Sequence, residues 1–336
     1  MNIRVVLAAI LGASLSASGQ TAVRATSSAT AGVVAKAKDF VATLSESQRA
    51  AVQFAFNDSE QRVRWSNLPT GAVPRAGLRL GDLTASQRTA AMALVATTLS
   101  KRGYEKVLAI MEGDEVLKNN SQPKGQPRFG RDEYYISFLG APSVTDPWML
   151  QFGGHHLAVN VNIAGNEGIL TPTLTAAQPA VYTVNGKTVR PLGAENDKAF
   201  ALINALNPGQ QKQAILNYQV RDLVLGPGQD GKTIQPEGIK ASALNANQQA
   251  MLFDLAGEWT GIIHDSAAAA RMAEIKATLA DTWFAWSGPT TNGSPAYFRI
   301  QGPTLLIEYA PQGSTNHIHT IIRDPSNDYG KELTRS

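Results

Sequence analysis

Apolar residues recur three and four positions apart at Ala51, Phe54 and Ala55, and again at Ala91, Leu94, Val95 and Leu99. That is the spacing of one buried helix face. Both stretches follow the same short pattern, a leucine, a small polar residue and, three positions after it, a glutamine. It occurs from Leu44 to Gln48 and from Leu83 to Gln87, and returns from Leu206 to Gln210 and from Leu244 to Gln248. A polar cap with glutamine three residues on is a capping box, in which the glutamine reaches back to the cap's own N–H. Beyond each helical part the pattern changes to alternation or β-branched runs, which predicts strands over 134–139, 157–163, 181–183, 296–300, 304–309 and 318–322. Stretches 119–128 and 226–232, rich in Gly, Pro, Asn and Gln, read as surface loops. The expected class is α+β.

The order of elements repeats. Leu44 and Leu206 lie 162 residues apart, and Gly77-Leu78-Arg79 matches Gly238-Ile239-Lys240 at an offset of 161. Tyr135-Ile136-Ser137-Phe138-Leu139-Gly140-Ala141-Pro142 resembles Trp283-Phe284-Ala285-Trp286-Ser287-Gly288-Pro289, with Gly140 and Gly288 offset by 148, as are Gly154 and Gly302. Such spacing predicts two related halves, 36–185 and 195–336, each a helical hairpin-like segment followed by an antiparallel strand-rich one. The halves are expected to form one compact unit with pseudo-two-fold symmetry.

At the N-terminus a single arginine, Arg4, precedes an apolar run from Val5 to Leu15 that ends in Ser16-Ala17-Ser18-Gly19. This reads as a signal peptide over 1–25, since spanning a bilayer takes about 20 apolar residues. The chain is therefore expected to be exported, to a periplasmic or extracellular location, with no membrane span after cleavage. Cysteine is absent, which excludes disulfides, thiolate ligands and a cysteine nucleophile. The net charge of +3 is dispersed, and no nucleic-acid surface is expected.

Four of the five histidines fall in the strand-rich parts: His155, His156, His317 and His319. In His317-Ile318-His319 a strand would point both imidazoles to one face, a good ligand pair. Adjacent His155 and His156 would point to opposite faces, so only one joins the pair unless a bulge intervenes. Glu308, in the apolar strand Leu305-Leu306-Ile307-Glu308-Tyr309, is a candidate further ligand or general base, and Asn160 matches it at the offset of 148. Asp324 and Asp328 are candidates for holding imidazole N–H groups, or else form an Asx turn with Arg323 as salt-bridge partner. Arg299 and Arg323 are candidates for orienting an anionic group. His264 reads as a structural helix residue, and Trp65, Trp148, Trp283 and Trp286 as core.

Three segments carry a family resemblance: Phe152-Gly153-Gly154-His155-His156-Leu157, Tyr297-Phe298-Arg299-Ile300-Gln301-Gly302-Pro303, and His317-Ile318-His319 running through Arg323-Asp324-Pro325 and Asn327-Asp328-Tyr329-Gly330. Together they resemble the domain of unknown function 3500 family, from about residue 36 to the C-terminus. The resemblance implies a single-family exported protein and imports no reaction. Serine-hydrolase elbow, Walker A, dinucleotide fingerprint and zincin motifs are missing. The expected function is a histidine-rich transition-metal site (zinc, copper, manganese or iron) between the halves. It would serve a metal-dependent hydrolase acting on a small molecule, with a copper or iron oxidoreductase or a non-catalytic metal- or small-molecule-binding protein as alternatives.

Overall fold

A computed structural model describes residues 28–121 and 128–334. The expected signal peptide lies outside them. In chain order the elements are α1 (Ser28–Ala42), α2 (Glu46–Val52), β1 (Gln53–Phe54), α3 (Ser59–Arg62), β2 (Leu78–Arg79), α4 (Ala85–Thr98), α5 (Lys101–Ser121), β3 (Tyr135–Leu139), β4 (Trp148–Gly154) and β5 (Leu157–Ala164). After them come β6 (Glu167–Ile169), β7 (Thr173–Ala177), β8 (Tyr182–Val184), β9 (Lys187–Val189), α6 (Gly193–Ala205), α7 (Pro208–Ala214) and β10 (Ile239–Lys240). The last are α8 (Ala246–Thr260), α9 (Asp265–Ala277), β11 (Trp283–Ser287), β12 (Tyr297–Gln301), β13 (Leu306–Pro311) and β14 (Ile318–Arg323).

The class is α+β. One large sheet runs in the order β1-β3-β4-β5-β7-β14-β13-β12-β11-β10, with β2 beside β3 and β6 beside β5. All its pairings are antiparallel except β1 with β3. Strands β8 and β9 form a separate hairpin around Asn185-Gly186, both at positive φ, as a tight two-residue turn requires. The 181–183 prediction belongs to this hairpin. Strands β4 and β7 are hidden in the sequence because β4 ends in Gly153-Gly154 and β7, Thr173-Leu174-Thr175-Ala176-Ala177, is short and ends in alanines, residues that do not favour strands. The 119–128 stretch is loop only in part, since α5 continues to Ser121.

Four capping boxes start α2, α4, α7 and α8, from Ser45, Thr84, Asn207 and Asn245. Their glutamines also meet in pairs. Gln87 Nε2 donates to Gln48 Oε1 at 2.9 Å and to the Thr43 carbonyl; Gln248 Nε2 donates to Gln210 Oε1 at 2.9 Å and to the Ala205 carbonyl. Each glutamine thus closes a helix end and joins it to a second one.

Helices cover one face of the sheet in two clusters. Val33, Leu94, Val107 and Ile110 pack on Ile136, Phe152, Val159 and Val161; Leu202, Leu252 and Trp259 pack on Phe284, Phe298, Ile307 and Ile322. At the first cluster, which takes in Leu99, Ile262 and Ile263, Ser100 N donates to the Ile262 carbonyl and His264 N to that of Thr98. A buried Lys106–Glu195 ion pair lies close by, linking α5 to α6. The opposite face carries a smaller cluster that includes Trp65, Met149, Leu174, Ile321 and Tyr329. Trp148 and Trp286 are fully buried and Trp283 half-buried.

Truncating Gln248 to alanine removes the capping return bond to Asn245 N, the bonds shared with Gln210 and the donor to the Ala205 carbonyl, so a loss of about 2 kcal/mol is expected. Urea unfolding of Gln248→Ala would measure it, and a loss below about 0.5 kcal/mol would show that the glutamine pair contributes little.

Candidate metal centre

His155 and His156 are not strand residues. They are the two-residue turn between β4 and β5, closed by the Gly154–Leu157 pair. His156 sits at φ 62°, a left-handed conformation that is strained for most side chains and commoner for His than for bulky residues. Its carbonyl accepts from Ala176 N on β7 at 2.8 Å, and its N–H donates to the Asn67 carbonyl at 3.3 Å. With the turn pinned in this way, the two rings stack at 3.6 Å between centroids and do not diverge to opposite faces. Both histidines therefore reach candidate ligand groups, one as the partner of His317 and His319 and one through Asp114.

His319 is the second residue of β14, and His317 lies just before the strand. The antiparallel pairing of β14 with β7 carries both to the 155–156 turn. His156 Nε2 and His317 Nε2 lie 3.0 Å apart, and the His319 ring is 4.7 Å from that of His317 and 5.6 Å from that of His156. One ligand atom from each of the three falls within 4.8 Å of the others. Nitrogens bound at about 2.0–2.1 Å to a tetrahedral ion sit roughly 3.3 Å apart, so small rotations would close this set on one metal. Three imidazoles side by side, two buried and that of His317 half-exposed, all donors of the kind transition metals take, fit such an ion.

Two carboxylates address the histidines. Asp114 Oδ1 lies 2.5 Å from His155 Nδ1, while its Oδ2 accepts from Gly130 N at 2.8 Å. Asp222 Oδ1 lies 3.3 Å from His319 Nδ1 and also accepts from Gln312 Nε2 and Leu223 N. Each would leave the imidazole's other nitrogen free for an ion, the second-sphere arrangement metal-ligating histidines use. Asn67 Nδ2 lies 3.4 Å from the His319 ring nitrogens. Together Asp114, His155 and His156 form a second group within the same ligand spacing.

The remaining expected site residues are engaged elsewhere. Glu308 is fully buried, but its carboxylate accepts from the N–H groups of Val224 and Leu225 and from the Tyr297 hydroxyl, and it is in neither histidine group. Arg299 binds Glu237. Arg323 donates to the Leu225 and Gly226 carbonyls and pairs with Asp230 and Asp328. Asp324 accepts from Ser326 N and Asn327 N, an Asx turn, and pairs with Arg271. Asn160 donates to the Pro172 carbonyl. His264 caps α9 by accepting from Ala267 N. None of these side chains has a hydrogen bond to His155, His156, His317 or His319.

A family model described as protein of unknown function (DUF3500) matches residues 25–331. The chain belongs to this family. No curated protein and no solved structure matches it. The DUF3500 match takes in both histidine pairs, Asp114 and Asp222. Asp114 had a legible signal, because it falls on the apolar stripe of α5 made by Val107, Ile110 and Met111, where a carboxylate needs a partner. Asp222 lies in an irregular segment whose pattern says nothing of its destination.

Burial, followed by the charges of His155, His319 and His317, holds the His156 imidazole well below the ordinary histidine range. Burial and the neighbouring histidines lower His317 to about 4, against an opposing pull from Asp222. For Asp222 itself burial acts upward, but the bonds from His319 and Leu223 outweigh it and its pKa is lowered. At neutral pH, His156 and His317 are thus free bases and Asp222 is a carboxylate. Both imidazoles hold a proton less firmly in the folded metal-free chain than in the unfolded one, where they titrate near 6.5. The stability His317 contributes is complete above about pH 6.5 and is lost as pH falls through about 4. Thermal melts of metal-free protein should show a falling Tm across that window, less steep in His317→Gln; an unaltered slope in the variant would count against this assignment.

Proposed function

We propose that the chain is a metal-dependent hydrolase that holds one divalent transition metal through His156, His317 and His319. The observation that carries the reading is asymmetry of burial: His156 and His319 are buried while His317 is half-exposed beside the exposed side chain of Asp222. A three-imidazole set with one open side is the donor arrangement of catalytic zinc sites. Bound there, such an ion supplies Lewis acidity and a water acidified toward neutral pH. The chain's own residues do the rest. Asp222 holds the His319 Nδ1 proton and keeps Nε2 as the donor atom, and Asp114 does the same for His155, whose ring backs His156. Neutral His156 and His317 need shed no proton to bind a cation at pH 7.

The same donors suit copper or iron, so the identity of the bound ion separates a hydrolase from an oxidoreductase, and a closed shell would mean a binding protein. The substrate is read as a small molecule. Export, with residues 1–25 as a cleaved signal, belongs to the same proposal. Among the described residues no helix is long and apolar enough to cross a membrane.

Descent from a duplicated half is also proposed, and register supports it. The pairs Ile136–Phe152 and Gln151–Asn160 have counterparts in Phe284–Ile300 and Arg299–Glu308, every residue of which lies 148 positions further on. The metal ligands break that symmetry, because His156 belongs to the first half and His317 and His319 to the second.

Tag-free protein should carry about one equivalent of a transition metal by elemental analysis, and His317→Ala with His319→Ala should lose it while the far-UV circular dichroism stays the same. Retention of stoichiometric metal by the folded double variant would overturn the site. Asp222→Asn should weaken affinity by about 10- to 100-fold, the usual effect of losing a group that orients a ligand.

A further inference from the structure

The β7–β14 pair has a second end. There Thr171 leads into β7 and Asp324 follows β14, and a cavity of about 320 Å³ opens between them and α9. It shares no residue with the histidine groups. We infer that this cavity binds a small organic cation, an ammonium group on an apolar body.

The wall dictates both parts of that ligand. Ile169, Ile263, Ala267 and Ile322 form an apolar lining suited to an aliphatic body. Thr171 also lines the cavity; it is 4% exposed and its hydroxyl has no hydrogen-bond partner among the described residues. A buried hydroxyl left unpaired is costly, and an ammonium, with three donors, can supply its partner. At the rim stand Glu167 and Glu332, both exposed and without an ion-pair partner among the described residues.

The charge of the ligand follows from Arg271, the one cation on the wall among the described residues. Its Nη1 bonds Glu274 at 2.7 Å, and its Nη2 bonds Asp324 at 2.9 Å as well as the Thr304 carbonyl. Both terminal nitrogens are committed to acceptors of the protein, so an incoming carboxylate or phosphate would have to displace them. The free charge facing solvent is negative. An anion would meet Glu167 and Glu332 first, whereas a cation is attracted by them.

The probe is 1-hexylammonium, compared with hexanol and hexanoate, which keep the body and remove or reverse the charge. Calorimetric titration of the full chain, with its metal content held constant, should show saturable binding of the ammonium at least about tenfold tighter than that of hexanoate. Glu167→Gln with Glu332→Gln should weaken it about fivefold, the scale of two exposed charge contacts. Ala270→Trp, a substitution at an exposed wall position on α9, should abolish it by filling the mouth. Binding of hexanoate as tight as the ammonium, absence of saturable ammonium binding at millimolar concentration, or indifference to both variants would overturn the inference. Neither variant touches the histidines, and both should retain the wild-type metal content, so failure here is distinct from failure of the metal site.

Discussion

Everything at the histidine site depends on the antiparallel pairing of β7 with β14. The two strands lie 145 residues apart at Thr175 and Thr320, and their five residue pairs join the part of the sheet built from β3, β4 and β5 to the part built from β11, β12 and β13. The register is held from the helix face, where the Thr175 and Thr320 hydroxyls lie 2.7 Å apart and Trp259 Nε1 donates to Thr320 at 2.9 Å. A slip of one residue would turn His319 toward the helices and Thr320 away from Trp259. Ligand geometry and core packing are thereby set by the same hydrogen-bond ladder.

Crowding imidazoles in a buried turn works against folding. His156 has left-handed backbone, and its side chain is out of water beside three other histidines. Its protonated form is disfavoured by burial and by neighbouring charge, and His317 shares that bias toward the neutral base. The opposing forces are local and specific: two backbone hydrogen bonds at His156, one from the Tyr134 hydroxyl to the His155 carbonyl, and the Asp114 bond to His155. Each fixes a ring where free rotation would otherwise disperse it. Preorganisation of this kind concentrates donor atoms before any cation arrives.

What could be read in the sequence divides by range. The capping boxes at Ser45, Thr84, Asn207 and Asn245 are local, involve residues three apart, and appear in the fold as the pattern says. Strands with one-sided or β-branched patterns were equally visible, whereas β4 and β7 were hidden by their glycine and alanine ends. The histidines stood out by clustering. The hairpin turn at His155-His156 did not, because neither residue is a usual turn former and both read as strand residues facing opposite ways. Glu308 illustrates the opposite error. A charge in an apolar strand does need partners, and it has them in Val224, Leu225 and Tyr297, which no spacing rule could place beside it.

The two ends of the central strand pair carry different chemistry, and this follows from what each end must neutralise. At the first end the neutral His156 and His317, with His319, Asp114 and Asp222 beside them, make up the proposed cation site. At the other, Asp324 is matched by Arg271, and the uncompensated groups are the rim carboxylates. Five residues of strand separate the ends by roughly 17 Å, about two Debye lengths at physiological salt. Charge at one end is therefore almost entirely screened from the other wherever the path runs through solvent. Any influence between them has to pass along β7 and β14 themselves, as a change of strand position. The paired threonines and Trp259 sit midway on that path and oppose such a change, so the ladder that assembles the histidine site also insulates it from the acidic one.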